Sequence, residues 1–250
     1  MKPEIRIFAD LEALSRAAAD VLVDLSRRAI ADRGRFLVAL SGGGTPARLY
    51  QLLPQPPYRE EIPWANMHVF WGDERCVPPD HPQSNYRQAW DALLKHVPVS
   101  PQNIHRVKSE LTPQEAARDY AAVLKQYAEA PLEWPRFDLV LLGMGEDGHT
   151  ASLFPGSEVE ASAPALAVSG HYQGRPAWRV TLTPPVLNAA SAVIFLVAGA
   201  AKSHTLQQVL DGEYRPRDLP SQRVRPSDGE LIWLVDRDAA AGLNTATTQE

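Results

Sequence analysis

Residues 36–53 read FLVAL, SGGGTP and ARLYQLL in succession, and that order decides the fold. Five apolar residues without a polar interruption make a strand covered on both faces, because a half-exposed strand alternates polar and apolar positions. The run ends in Ser41-Gly-Gly-Gly-Thr45-Pro46 and gives way, over 47–53, to apolar residues at helical spacing. A buried strand turning through glycines into a helix is half of a crossover unit, the connection that parallel neighbours require.

The same alternation extends in both directions. Upstream, 5–8 reads as a strand, Asp10 as an N-cap, and 11–31 as an amphipathic helix closed by Gly34. Downstream, strands are expected at 67–71, 137–142, 178–183, 193–198 and 231–235, with helices near 86–94, from Pro113 to about 127, and over 203–210. Thr112-Pro-Gln-Glu115 is a capping box with Pro at the first helical position. The expected architecture is α/β: a doubly wound, mainly parallel sheet flanked by helices, Rossmann-like, with room for a small second lobe. Residues 1–250 are expected to form a single domain, and the last twelve residues a frayed end. Ligands of such sheets bind at strand C-terminal ends.

Composition narrows the function. A net charge of -5 supplies no dominant basic field, so neither nucleic acid nor an anionic membrane is the expected partner. Cys76 is the single cysteine, which excludes an intramolecular disulfide and a Cys-rich zinc site. The start MKPEIRIFAD has no apolar signal region, no later stretch is long and apolar enough to span a bilayer, and a cytoplasmic protein is expected. A monomer is the default expectation, with oligomeric state left open.

Four segments stand out as candidates for chemistry, three of them immediately after a strong strand. In Ser41–Pro46, Gly43 and Gly44 let backbone N–H groups approach an anion, Thr45 adds a hydroxyl, and the following helix adds its dipole. The lysine of a Walker A loop and the G-x-G-x-x-G spacing are missing, which counts against ATP and NAD. The segment also reads as an ordinary strand-to-helix turn. Trp71-Gly-Asp73-Glu74-Arg75 places two acids and a guanidinium capable of bidentate phosphate contact at a strand end, although charge clusters are commonly surface turns. Gly143-Met-Gly-Glu-Asp147-Gly-His149-Thr presents His149, suited to general-base work, with Asp147 two residues away. Lys202, after a strand and before a helix, offers a second cation for a phosphate. Cys76 and the histidines at 68, 81, 105, 171 and 204 read as structural. G-x-S-x-G and H-E-x-x-H are both absent from the sequence.

Read together, LSGGGTPARLYQLL, VFWGDERCVP with DHPQSNY, FDLVLLGMGEDGHTASLFPG, RVTLTPPVLNAA and VAGAAKSHTL resemble the 6-phosphogluconolactonase family, over about residues 5–235. The larger group includes glucosamine-6-phosphate deaminases, which typically read GHIAFNEPG where this chain reads GHTASLFPG, so Leu153-Phe154 replaces an Asn-Glu pair. The resemblance implies hydrolysis of 6-phosphogluconolactone in the oxidative pentose phosphate pathway, without metal or organic cofactor. It implies that Gly43, Gly44, Thr45, Asp73, Arg75 and Lys202 hold the phosphorylated substrate. His149 then activates water, Asp147 orients it, and Arg179 or the glycine-loop N–H groups stabilise the oxyanion. The competing readings are a sugar-phosphate isomerase or deaminase, which needs an acid after the DGH loop, and a non-catalytic sugar-phosphate sensor. The sensor would carry a DNA-binding segment, for which a strand starting at Ile5 leaves no room.

Overall fold

The computed structural model describes residues 3–157, 163–170 and 178–244. The first half of the chain runs β1 (Glu4–Phe8), α1 (Leu11–Arg33), β2 (Phe36–Leu40), α2 (Gly44–Leu52), α3 (Tyr58–Glu61), β3 (Met67–Trp71), β4 (Asp73–Arg75), α4 (Asn85–Ala92) and α5 (Pro113–Lys125). The second half runs β5 (Leu139–Gly143), β6 (Ala165–Ser169), β7 (Trp178–Leu182), α6 (Pro184–Asn188), β8 (Ala192–Val197), α7 (Ser203–Leu210), β9 (Glu230–Asp236) and α8 (Arg237–Ala240). The expected punctuation is in place: Asp10 accepts from the Ala13 N–H at 2.8 Å, Gly34 closes α1 in the left-handed conformation, and Glu115 accepts from the Thr112 N–H.

Six strands form a wholly parallel sheet in the order β1-β9-β8-β5-β2-β3. Successive side chains of a strand point to opposite faces, and here both faces are apolar. Phe36, Val38 and Leu40 of β2, with Leu139 and Leu141 of β5, join α1, α2 and α4 in one core. Leu37 and Ala39, with Val140 and Leu142, join α5, α6 and α7 in the other. Burial on both sides is why these strands read as uninterrupted apolar runs.

Chain order reverses between β2, which leads outward to β3, and β5, which leads inward to β8. This is the switch point at which loops diverge and leave a crevice beyond the strand ends.

The sequence reading differs from the structure in three places. The 178–183 run is a strand, β7, but it belongs to a separate antiparallel sheet, β4-β7-β6, packed on the second core. Asp73–Arg75, read as a charge cluster at the end of β3, is itself a strand: Gly72 breaks the line, its N–H bonding to Leu40 and its carbonyl accepting from Leu182. β6 escapes the sequence reading because ALAVS is half-buried, with an apolar run of only four mostly small residues and no polar–apolar alternation. His171 and residues 245–250 of the expected frayed end lie outside the described residues. Among the described residues, no helix is long and apolar enough to cross a membrane.

Candidate active site

Two buried tyrosines fix the strand ends that open the crevice. Tyr50 of α2 accepts from the Ser41 N–H at 3.0 Å and donates to the Ser41 carbonyl at 2.7 Å. Tyr120 of α5 does the same for Trp71, at 2.8 Å both ways. Burial pushes both phenols well above their ordinary range, so they remain neutral donors and acceptors. The last backbone groups of β2 and β3 are thereby satisfied where the ladder ends, and the loops leave from anchored points.

Beyond these ends lies a pocket of about 310 Å³. Gly43, Gly44 and Thr45 line it from β2 and α2, Asp73 and Arg75 from β4, His149 from the loop after β5, Arg179 from β7, and Lys202 from the turn before α7. The residues singled out in the sequence meet in one cavity, with Asp147 directly behind His149.

The loop after β5 is closed by its own hydrogen bonds. The Gly145 N–H donates to the His149 carbonyl, the Gly148 N–H to the Gly145 carbonyl, and Thr150 Oγ1 to the Gly143 carbonyl. Gly145 is required by close approach, since a Cβ there would lie 2.0 Å from His149 Nδ1. From outside, Ser221 donates to the Gly148 carbonyl and Thr205 to that of Glu146. The Gly145 and Gly148 N–H groups are engaged in holding the loop's shape.

Asp147 Oδ1 lies 2.6 Å from His149 Nδ1. Burial pushes the Asp147 carboxyl up, but the hydrogen bonds and charge of His149 outweigh it and hold the group below its ordinary range. An ionised carboxylate only accepts, so Nδ1 carries the proton and the Nε2 lone pair is the basic atom.

Around the Ser41–Pro46 turn, Gly43 and Asp73 make hydrogen bonds of their own besides lining the pocket. Gly43 adopts φ 112 as the N-cap of α2, a conformation glycine supplies without strain, but its N–H donates to Gln88 Oε1 at 3.0 Å. Gly43 therefore shapes the turn, and Gly44 and Thr45 provide the helix-end surface toward the pocket. Asp73, only 7% exposed, accepts from Ser152 Oγ at 2.5 Å and from Asn85 Nδ2 at 3.2 Å. It thus ties β4 to the His149 loop and to α4 at the cavity wall.

Sequence reasoning missed Glu74, Ser84, Asn85, Gln88 and Ser152. Buried Glu74 accepts from the Asn85 and Tyr86 N–H groups at 2.7 Å, capping α4 from a distant strand. Burial raises its carboxyl above the usual range despite those bonds. Ser84 alone was legible as an N-cap before NYRQAW. Cys76 is half-buried, its thiol pushed up to about 11 by desolvation and by Glu74, which fits its structural reading.

A family model described as "Glucosamine-6-phosphate isomerases/6-phosphogluconolactonase" matches residues 9–233. The chain belongs to that family. Relatives of this glucosamine-6-phosphate isomerase/6-phosphogluconolactonase family chain include the 6-phosphogluconolactonase of Nostoc, 42% identical over 98% of this chain and 100% of the relative. That of Synechocystis is 40% identical over 97% of this chain and 99% of the relative. Among solved structures, the 6-phosphogluconolactonase of Trypanosoma brucei superposes with a TM-score of 0.82 at 30% identity, covering 97% of this chain and 99% of that one.

The family name spans two chemistries, so the residues after the DGH loop matter. Leu153 is fully buried, and the ring of Phe154 lies 5.1 Å from the His149 ring, with the Arg179 guanidinium 5.1 Å above its face. Where deaminases of this family typically carry a glutamate, this chain has Phe154, whose ring neighbours the imidazole.

Proposed function

We propose that this chain hydrolyses 6-phosphoglucono-1,5-lactone to 6-phosphogluconate. The observation that carries the reading is the shared cavity: an anion-recognising helix end and the His149–Asp147 pair line the same 310 Å³ space. Further support comes from three polar atoms of its wall that have no hydrogen-bond partner among the described residues: Ser41 Oγ, Arg75 Nε and Asn85 Oδ1. A ligand bearing both a phosphate and hydroxyls supplies the acceptors and donors they lack.

In this reading the 6-phosphate sits against Gly44, Thr45, Arg75 and Lys202. Its binding energy, remote from the reacting carbon, sets the ring in place. His149 Nε2 takes a proton from water as the water oxygen bonds to C1, and Arg179 balances charge developing on the carbonyl oxygen. The C1–ring-oxygen bond then breaks, and the imidazolium returns its proton to the departing oxygen. Asp147 fixes the tautomer and stabilises the imidazolium between these steps. One imidazole thus carries a single proton from the water to the departing ring oxygen, while the water's second proton stays on the new C1 carboxyl and is released as that acid ionises.

Acid release from freshly generated lactone, followed with the native protein and with His149→Ala, tests the assignment. Turnover in the variant is expected to fall roughly 10²- to 10⁴-fold with phosphate affinity kept. An unchanged rate removes His149 from the reaction, and ammonia release from glucosamine 6-phosphate by the native protein would move the chain to the other chemistry of its family.

A further inference from the structure

Helix α4 stands on the outer side of the anion turn and reaches it with one side chain. Gln88 accepts from the Gly43 N–H at 3.0 Å and donates from Nε2 to the Gly43 carbonyl at 2.7 Å. Its carboxamide thus forms a closed pair of bonds with a single residue, on both sides of one Cα. Gln88 does not line the cavity itself; it borders the recesses behind it.

We propose that Gln88 is a positioning residue for anion recognition, aiming the Gly44 N–H into the pocket by fixing the plane of the peptide that carries it. The Gly43 carbonyl and the Gly44 N–H belong to the same peptide unit, and in a trans peptide they point in opposite directions. Holding that oxygen toward α4 turns the N–H away from α4, toward the side where Gly44 lines the cavity. Accepting a hydrogen bond at the oxygen also polarises the unit and strengthens its N–H as a donor. The second bond, at the Gly43 N–H, fixes the preceding peptide, so the φ of 112 at Gly43 is defined from both ends. Without this clamp a glycine-flanked peptide can rotate, since no Cβ restrains it. Asn85, one turn earlier on α4, makes the parallel connection to Asp73 through its Nδ2. One face of α4 therefore braces both the anion turn and β4.

This inference rests on the phosphate reading of Gly44 and Thr45. Equilibrium inhibition by inorganic phosphate is therefore measured beside lactone turnover. Gln88→Met fills the same space and removes both bonds. It is expected to raise the KM for the lactone and the inhibition constant of phosphate together, by roughly 10-fold, with kcat within about 2-fold of native. Loosened packing alone would lower kcat or the melting temperature without moving the two constants in parallel.

Gln88→Glu supplies a second readout. The ionised carboxylate keeps the acceptor, loses the donor and faces the Gly43 carbonyl, whereas the protonated acid restores both bonds. The titratable and charged groups around it are Arg75 and Arg87 with Asp91 on one side, and Arg59 and His96 on the other. The ratio of variant to native phosphate inhibition constants is expected to be large at pH 8 and to fall toward one as the pH is lowered through about 4.3, where a glutamate protonates. A flat ratio, or constants unchanged in Gln88→Met, overturns the role of Gln88 alone. A native protein that phosphate does not inhibit overturns the anion-site reading, and this inference with it.

Discussion

At the scale of single residues, the proposed mechanism depends on which nitrogen of His149 carries a proton, and that is decided by a neighbour two positions away. Asp147 approaches Nδ1 at 2.6 Å and also accepts from the His149 N–H at 3.1 Å. The loop therefore folds the carboxylate back onto both the ring and the backbone of the same residue. Asp147→Asn keeps the shape but offers an amide donor to Nδ1, which shifts the proton to Nε2 and removes the base. Turnover is expected to fall roughly 10²- to 10⁴-fold with KM nearly unchanged, read by steady-state kinetics. A variant with native kcat would show that the carboxylate does not set the tautomer. Phe154 and Arg179 complete the surroundings of the ring. The sequence motif names the histidine and cannot say what its ring faces.

At the scale of elements, β3 and the segment after α4 meet at a cluster far from this loop in sequence. His68 Nδ1 lies 3.2 Å from His105 Nε2, Tyr127 Oη lies 3.1 Å from the same nitrogen, and Phe70 stacks on the His105 ring. Desolvation, and then the neighbouring His68, push His105 down to about 4, and burial lowers His68 as well. An unfolded histidine binds its proton near pH 6.5, so between that value and about 4 the unfolded chain takes up more protons than the fold. The stability held above pH 6.5 is therefore lost progressively as pH falls toward 4. His105→Gln keeps a polar side chain that does not titrate, and is expected to flatten the loss of stability between pH 6.5 and 4 in denaturant titrations. An unaltered slope would place the acid sensitivity elsewhere. The pairing of the two histidines depends on a parallel bridge between Val69 and Ile104 that no local pattern announces.

At the scale of the whole molecule, one sheet carries two cores, and the pocket sits at its rim where chain order reverses. Phe195 of β8 and Trp233 of β9 are register neighbours whose rings stack with centroids 3.9 Å apart and planes 2° apart, both essentially buried. Phe195→Ala is expected to destabilise the protein by about 3–5 kcal/mol. For a chain of this size that corresponds to a fall in melting temperature of roughly 10 °C. The folded fraction should retain native KM and kcat, because the stack lies in the core and not at the pocket; an equal loss of activity per folded molecule would mean that the core and the loops are coupled. The second sheet matters for a different reason. β4 and β7 bring Arg75 and Arg179 into register as antiparallel partners, so two guanidiniums from segments a hundred residues apart reach one cavity.

The parallel sheet was legible in the sequence because burial on both faces imposes a composition on each strand separately. FLVAL and MHVFW announce themselves without reference to their neighbours, and the boundaries 36–40 and 67–71 agree with the structure. The loops were legible for a related reason: glycine runs and a histidine just after two acids are local features at predictable places after strands. The antiparallel sheet was not, because three to five half-buried residues in DER and ALAVS become strands only through their partners. The same holds for Gln88, Asn85, Glu74 and Ser152, ordinary polar residues whose roles arise from hydrogen bonds to atoms 10 to 79 positions away. Sequence by itself determined which segments are strands of a buried sheet and which loops carry reactive groups, since those properties are set by local composition. Only the tertiary structure decided that the loops share one cavity, which loop N–H groups are taken up by internal hydrogen bonds, and which nitrogen of the imidazole faces Asp147, since each depends on contacts that exist after the chain has folded.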